Sequence, residues 1–223
     1  VTAQDGTTLK TYTITVTRAA SANADLSALT STAGALTPGF ASGTTSYTAS
    51  VGNGTTSVTV TPTVADATAT IEVRVNAGAY AAVASAAASS ALNLNVGANP
   101  IDVRVTAQDG TTLKTYTITV TRAASANADL SALSSTAGAL TPGFASGTTS
   151  YPASVGNGTT SVTVTPTVAD ATATIEVRVN AGAYAAVASA AASSALNLNV
   201  GANPIDVRVT AQDGTTLKTY TIT

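Results

Sequence analysis

The chain contains no cysteine, histidine, methionine or tryptophan. Without cysteine there can be no disulfide and no thiolate metal site. Without histidine or cysteine, the many serines and threonines lack the usual activating base for nucleophilic chemistry. Missing cysteine and methionine also remove the main oxidation targets. That suits a protein living outside a cell, and compositional drift in a much-copied repeat accounts for it equally well. Charged residues are only 9% of the chain, the net charge is −2, and the 9 basic residues are spread thinly. No Lys/Arg cluster exists, so nucleic acid is not an expected partner. No apolar run approaches the length that spans a membrane.

What the chain does have is repetition. The run VTAQDGTTLKTYTITVTRAASANADLSAL begins at Val1 and again at Val105, and its first half returns at Val209. Laying residues 1–119 over 105–223 leaves two differences, Thr30 against Ser134 and Thr48 against Pro152. A period this long is a whole domain rather than one turn of a solenoid. About 100 residues per copy suffice for one core, though not a deep one. The frame reads as residues 1–22, the closing hairpin of a preceding copy; 23–122, a first repeat; and 127–223, a second whose last strand is short. Residues 123–128 form the linker. The chain therefore reads as a window on a longer array, or as one whose ends meet neighbouring molecules. The inward Tyr12, Ile14 and Val16 of the first hairpin call for a covering sheet, because a lone hairpin is marginal in water.

Within one copy, apolar residues alternate with Thr, Ser and Asn, the pattern of a strand with one buried face. Ser46–Val51 turns Tyr47, Ala49 and Val51 to one side. Ser57–Val64 turns Val58, Val60 and Val64 inward, with Pro62 marking an edge or a break because proline cannot donate to a ladder. Ala69–Asn76 points Ile71, Val73 and Val75 inward; Leu92–Val96 points Leu92, Leu94 and Val96 inward. Ile101–Ala107 and Thr111–Arg122 flank Asp109-Gly110, a strong hairpin signal. Asp25–Leu36 reads as irregular, anchored by Leu26, Leu29 and Leu36. Residues 79–91, almost all Ala and Ser, permit a helical turn, but a short strand near Tyr80–Val83 followed by a loop through Ser89-Ser90 fits the neighbouring hairpins better. Some seven short strands with turns between them predict an all-β chain of tandem immunoglobulin-like or cadherin-like antiparallel β-sandwiches.

The residues Ala128-Asp129-Leu130-Ser131-Ala132-Leu133, Leu140-Thr141-Pro142-Gly143-Phe144, Thr148-Thr149-Ser150-Tyr151, Val200-Gly201-Ala202-Asn203 and Val209-Thr210-Ala211-Gln212-Asp213-Gly214-Thr215-Thr216 carry a resemblance. So does the closing Lys218-Thr219-Tyr220-Thr221-Ile222-Thr223. The repeat is similar to the bacterial cadherin-like β-sandwich repeat over its whole length, most specifically at its two ends. The resemblance implies tandem sandwiches in secreted or surface-anchored prokaryotic proteins. It brings no catalytic residues, and the acidic calcium motifs of animal cadherins have no counterpart here.

Individual residues each admit two readings. Asp66, Asp129 and Asp213, with Asn127 and Asn203 nearby, are the candidate metal ligands, for calcium at a domain junction; that ion wants six to eight oxygens. The same aspartates also serve as turn formers. Lys114 shares the inward phase of Tyr116 and Ile118: an isopeptide staple would need a buried carboxylate beside it, and the simpler reading is a stem that snorkels to water. Glu72 reads as the exposed ion-pair partner of Arg74. Asn53-Gly54-Thr55 and Asn157-Gly158-Thr159 match the N-glycosylation pattern, and the outward Thr rows permit O-glycosylation. Tyr80 is the main candidate for an exposed sugar-binding aromatic. No active site or cofactor is expected. The leading expectation is a non-enzymatic structural repeat of an extracellular bacterial filament, sheath or surface stalk that partners itself; the alternative is the spacer stalk of a cell-surface adhesin whose binding tip lies elsewhere.

Overall fold

A computed structural model describes residues 1–223. The chain divides into two compact units, residues 1–51 with 55–121 and residues 52–54 with 122–223. There is no helix, and none long and apolar enough to cross a membrane. Nine strands, β1(Leu26–Ser31), β2(Ser46–Val51), β3(Ser57–Val58), β4(Val60–Val64), β5(Thr70–Val75), β6(Ala81–Val83), β7(Leu92–Asn93), β8(Gly97–Thr106) and β9(Leu113–Arg122), recur in the same order as β10(Leu130–Ser135), β11(Ser150–Tyr151), β12(Ser161–Val162), β13(Val164–Val168), β14(Thr174–Val179), β15(Ala185–Val187), β16(Leu196–Asn197), β17(Ile205–Thr210) and β18(Leu217–Ile222).

In the first unit one layer is a five-stranded sheet in the order β2-β9-β8-β5-β6. The facing layer is made of the pairs β1-β4 and β3-β7. Between them lies a single core to which both layers contribute, including Leu26 and Leu29 of β1, Val60 of β4, Ile71 and Val73 of β5, Val103 of β8 and Tyr116 and Ile118 of β9. The second unit repeats this, with sheet order β11-β18-β17-β14-β15 and its own core. Most pairings are antiparallel, but the edge strand β11 runs parallel to β18, with Ser150 beside Thr221 and Tyr151 beside Ile222.

Alternation makes the central strands. On β5, Ile71 and Val73 are buried while Glu72 and Arg74 between them stay half-buried on the outer face. Other segments depart from simple alternation. Residues 26–31 form a strand where irregular chain was expected. A bulge between Leu26 and Ala28 puts Leu26 and Leu29, three apart, on the same buried side. The run 57–64 breaks at Thr59, whose N–H donates to Thr32 Oγ1 at 2.8 Å.

Pro62 lies inside β4, opposite Leu29. Its carbonyl accepts Ala86 N–H, while Val60 and Val64 donate to Ser89 Oγ and Ser85 Oγ. Since N–H and C=O of one strand residue point the same way, the donor that Pro62 lacks would face this Ala/Ser loop rather than β1. The Ala-rich stretch thus contributes the short strand β6 and a loop that takes over one side of β4. Val96 is 39% exposed rather than inward, because β7 ends at Asn93 and β8 already begins at Gly97.

Proline at the matching position 152 predicts a free backbone N–H at Thr48, on an edge or before a bulge, and the structure differs. The Thr48 N–H is not free but donates to Thr37 O at 2.8 Å in an isolated bridge at the sheet edge. Pro152 cannot make that bond, and β11 is Ser150–Tyr151, after which Ala153 N–H donates to Thr223 O. Residues 10–18, expected to complete a hairpin, form no strand. Only a bridge between Thr2 and Leu9 is present, and Tyr12, Ile14 and Val16 are 69%, 87% and 87% exposed. No sheet of the chain covers them, and two strands alone bury too little to hold together.

Candidate functional site

The most elaborate side-chain arrangement lies on the outer face of the five-stranded sheet, and both units carry it. Antiparallel register sets Glu72 of β5 opposite Arg104 of β8, and Arg74 opposite Asp102. The pairs close at 2.6 Å (Arg104 to Glu72) and 2.9 Å (Arg74 to Asp102). The expected Glu72–Arg74 pair is therefore not the one formed. Both residues share a face two positions apart on one strand, but directly opposed cross-strand positions are closer. Asp102 also accepts Thr117 Oγ1 at 2.8 Å, which extends the network to β9.

The Tyr80 ring lies under both guanidinium groups, with Arg74 and Arg104 4.5 Å and 4.0 Å from its centroid. The second unit reproduces the cluster with Glu176–Arg208, Asp206–Arg178 and Tyr184. Two acids and two bases cancel, so the patch presents no net charge, and the tyrosine proposed for sugar stacking is already engaged by cations.

Lys114 lies at the other end of the sandwich. Its ammonium contacts Asp25 Oδ1 at 2.7 Å and Ser42 O at 2.8 Å. The Asp25 contact, more than burial can oppose, raises the lysine pKa. Lys218, Asp129 and Ser146 repeat the arrangement, and Asp129 likewise raises the pKa of Lys218. The simpler reading of a stem reaching water gives way to an ion pair tying the start of β1 to β9. Asp25 is 89 positions away, and no local pattern announces it.

The three aspartates singled out for calcium each have other partners. Asp66 is held at about 2, first by the Ser21 hydroxyl and then by the N–H and hydroxyl of Thr68. Asp213 is held at about 2 by the Thr216 hydroxyl, then by the N–H groups of Thr216 and Thr215. Asp129 holds Lys218. No group of three or more His, Cys, Asp or Glu residues is placed to share a metal ion. Asn203 is instead a loop organiser, bonding Asn199 and Gly201. Asn127 accepts Asp129 N–H at 2.9 Å.

Two β-sandwiches in tandem, each with a self-neutralised outer face and polar loops tied down by their own side chains, define a tandem immunoglobulin-like repeat. A family model described as Cadherin-like beta sandwich domain matches residues 26–123 and again 130–223. The chain belongs to that family. No curated relative matches it. Among solved structures, it is similar to the fibronectin(III)-like modules of Clostridium thermocellum CbhA (15% identity, 78% of this chain, 87% of that one, TM-score 0.26). It is similar also to the BSP domain of a biofilm-associated protein (15%, 78% and 28%, 0.25). A third is the Bacteroides ovatus protein SGBP-B of a mixed-linkage glucan utilisation locus, solved with a heptasaccharide (11%, 88% and 70%, 0.27).

Proposed function

We propose that this chain is a structural repeat segment of an extracellular bacterial filament, sheath or surface stalk, self-associating through its repeated sandwiches. The observation that carries the reading is duplication without specialisation. Two copies differ at two of their overlaid positions and reproduce the same outer-face cluster, the same Lys–Asp tie and the same strand order. A recognition site is normally needed once, whereas a surface presented at fixed spacing gains by repetition. After a first weak contact the later ones are nearly intramolecular, so avidity grows with copy number.

The exposed faces suit contact between copies. Their charges are paired within each unit, and the remaining surface carries rows of Thr, Ser and Asn. A contact that is heterologous and does not close gives a filament.

Electron microscopy of the native material tests the reading. Ordered filaments, tubes or sheaths support it. Isolated flexible stalks leave the adhesin spacer in its place.

A further inference from the structure

A bare sheet edge offers unpaired N–H and C=O groups to any other strand. Most edges of these sandwiches are guarded by the chain itself. Thr37 bridges β2 through Thr48, with bonds of 3.0 Å and 2.8 Å, and β11 is followed by Pro152. β1 carries a bulge, as does β10. The open side of β4 is taken by the Ala/Ser loop, where Ala86 and Ser89 donate to Pro62 O and Val60 O at 2.8 Å. β3 and β7 are two residues long.

β6 is different. It ends the five-stranded sheet, with β5 on one side and no strand on the other. Register determines which of its groups are bare. Asn76, one step beyond the Val75–Ile101 pair, donates to Pro100 O at 2.9 Å, so the even-numbered residues of β5 bond toward β8. The odd-numbered Ile71 and Val73 bond the other way, toward Val83 and Ala81. Ala82, opposite Glu72, therefore turns both its N–H and its C=O away from the sheet. Its side chain is exposed, and residues 79–91 hold neither charge nor proline. β15 repeats the arrangement around Ala186, opposite Glu176, and Asn180 likewise donates to Pro204 O.

We propose that β6 and β15 are pairing edges, and that the partner is the same edge of a second copy, run antiparallel. The proposal rests on the self-association reading above and names its contact. A meeting centred on Ala82 is self-complementary, each copy donating its Ala82 N–H to the Ala82 C=O of the other. Alanine on both sides lets the backbones reach the usual strand spacing of about 4.8 Å. Charge permits the match as well. The outer-face groups beside the edge, Glu72 with Arg104 and Asp102 with Arg74, are already paired, so two identical faces meet without like-charge repulsion. Three residues make a weak contact, and a lone edge closes as a pair. A chain with two such edges holds two neighbours, so assembly continues and each contact strengthens the next.

Ala82→Pro/Ala186→Pro removes the outward donors and leaves the bonds to β5 and β14 in place. In sedimentation of the 223-residue chain we expect association at least tenfold weaker, with the melting temperature little changed. The protein has no cysteine, so a cross-link gives a clean second test. Opposed residues in such a pair sit about 5.5 Å apart, within disulfide reach. Ala82→Cys/Ala186→Cys should cross-link between chains under mild oxidation at least tenfold faster than Thr115→Cys/Thr219→Cys, whose positions are also exposed. Cross-linking no faster than that control overturns the edge contact, as does a folded proline chain that associates like the parent; self-association itself then stands. Where the proline chain melts early, the cysteine comparison decides. A parent chain that stays monomeric at every concentration overturns both.

Discussion

Tyr116 and Leu26 meet through one hydrogen bond across the sandwich: the tyrosine hydroxyl accepts Leu26 N–H at 3.0 Å. The same hydroxyl donates to Ser42 O at 2.9 Å. The ring is fully buried, and Phe40 lies tilted against it with ring centroids 6.2 Å apart. One phenol thereby closes the first strand of one layer and the loop before β2 onto β9 of the other. Tyr116→Phe keeps the ring and strands the Leu26 N–H, while Ser42 O keeps the Lys114 ammonium. It should cost about 1–3 kcal/mol, the penalty of a buried unsatisfied group. Urea unfolding should show it, with faster hydrogen exchange at the Leu26 amide. A fully protected Leu26 amide in the variant would contradict this.

The outer-face ion pairs should not contribute equally. Asp102 is the less exposed acid and binds both Arg74 and Thr117, whereas Glu72 holds Arg104 alone. Asp102→Asn is expected to cost about 1.5–3 kcal/mol, as for hydrogen bonds to a charged group. Glu72→Gln should cost at most about 1 kcal/mol. Matched denaturation curves give the ranking, and a larger loss at Glu72 would reverse the argument.

Much of this architecture is legible in the sequence. Period-two alternation marks β5 and β8, Asp109-Gly110 marks the hairpin, and the repeat sets the tandem order. What alternation hides is any feature that interrupts it. The bulge in β1 spaces Leu26 and Leu29 by three, which reads as irregular chain. An early start to β8 turns Val96 outward. Pairing along a strand looks natural for Glu72 and Arg74, yet only the cross-strand register reveals Arg104 and Asp102. Lys114 meets an aspartate 89 positions away, a contact made by the fold and invisible to local pattern.

Acid should unfold the protein in a defined window. Asp66, Asp109 and Asp213 are held near 2 in the folded state, Asp109 chiefly by the Thr112 hydroxyl and N–H. Their unfolded value is about 4. A depressed folded pKa gives stability that is present above the unfolded value and lost as pH falls through the folded one. For Lys114 and Lys218 the folded pKa is raised, so their contribution holds below about 10.4 and is lost at higher pH. The melting temperature should therefore fall between about pH 4 and 2, and again above about pH 10. A steep change between pH 5 and 8, where no histidine can titrate, would contradict this.

Thr48 and Pro152 offer a reciprocal test. Thr48→Pro removes the bond to Thr37 O and should destabilise the first unit by about 1 kcal/mol. Pro152→Thr should restore an amide that can donate to Thr141 O. Hydrogen-exchange protection at residue 152 of that variant checks it, and an unprotected amide would show that the bridge to Thr141 does not form.

Calcium should add little. Asp66, Asp129 and Asp213 already bind hydroxyls, backbone N–H groups or a lysine, and calcium would have to displace them. Melting temperatures in chelator and in millimolar calcium should coincide. A rise that depends on calcium concentration, lost in an Asp129→Asn variant, would restore a metal site.

The most direct measurement of the central claim is sedimentation of the 223-residue chain beside a single repeat, residues 23–122, over a wide concentration range at low and high salt. Self-association by repetition predicts species that grow with concentration for the longer chain and far less for the single repeat. Because the face charges are already paired within each unit, growth should persist in high salt, which screens exposed charges. A longer chain that remains monomeric throughout, or one whose association vanishes in salt, would contradict the account.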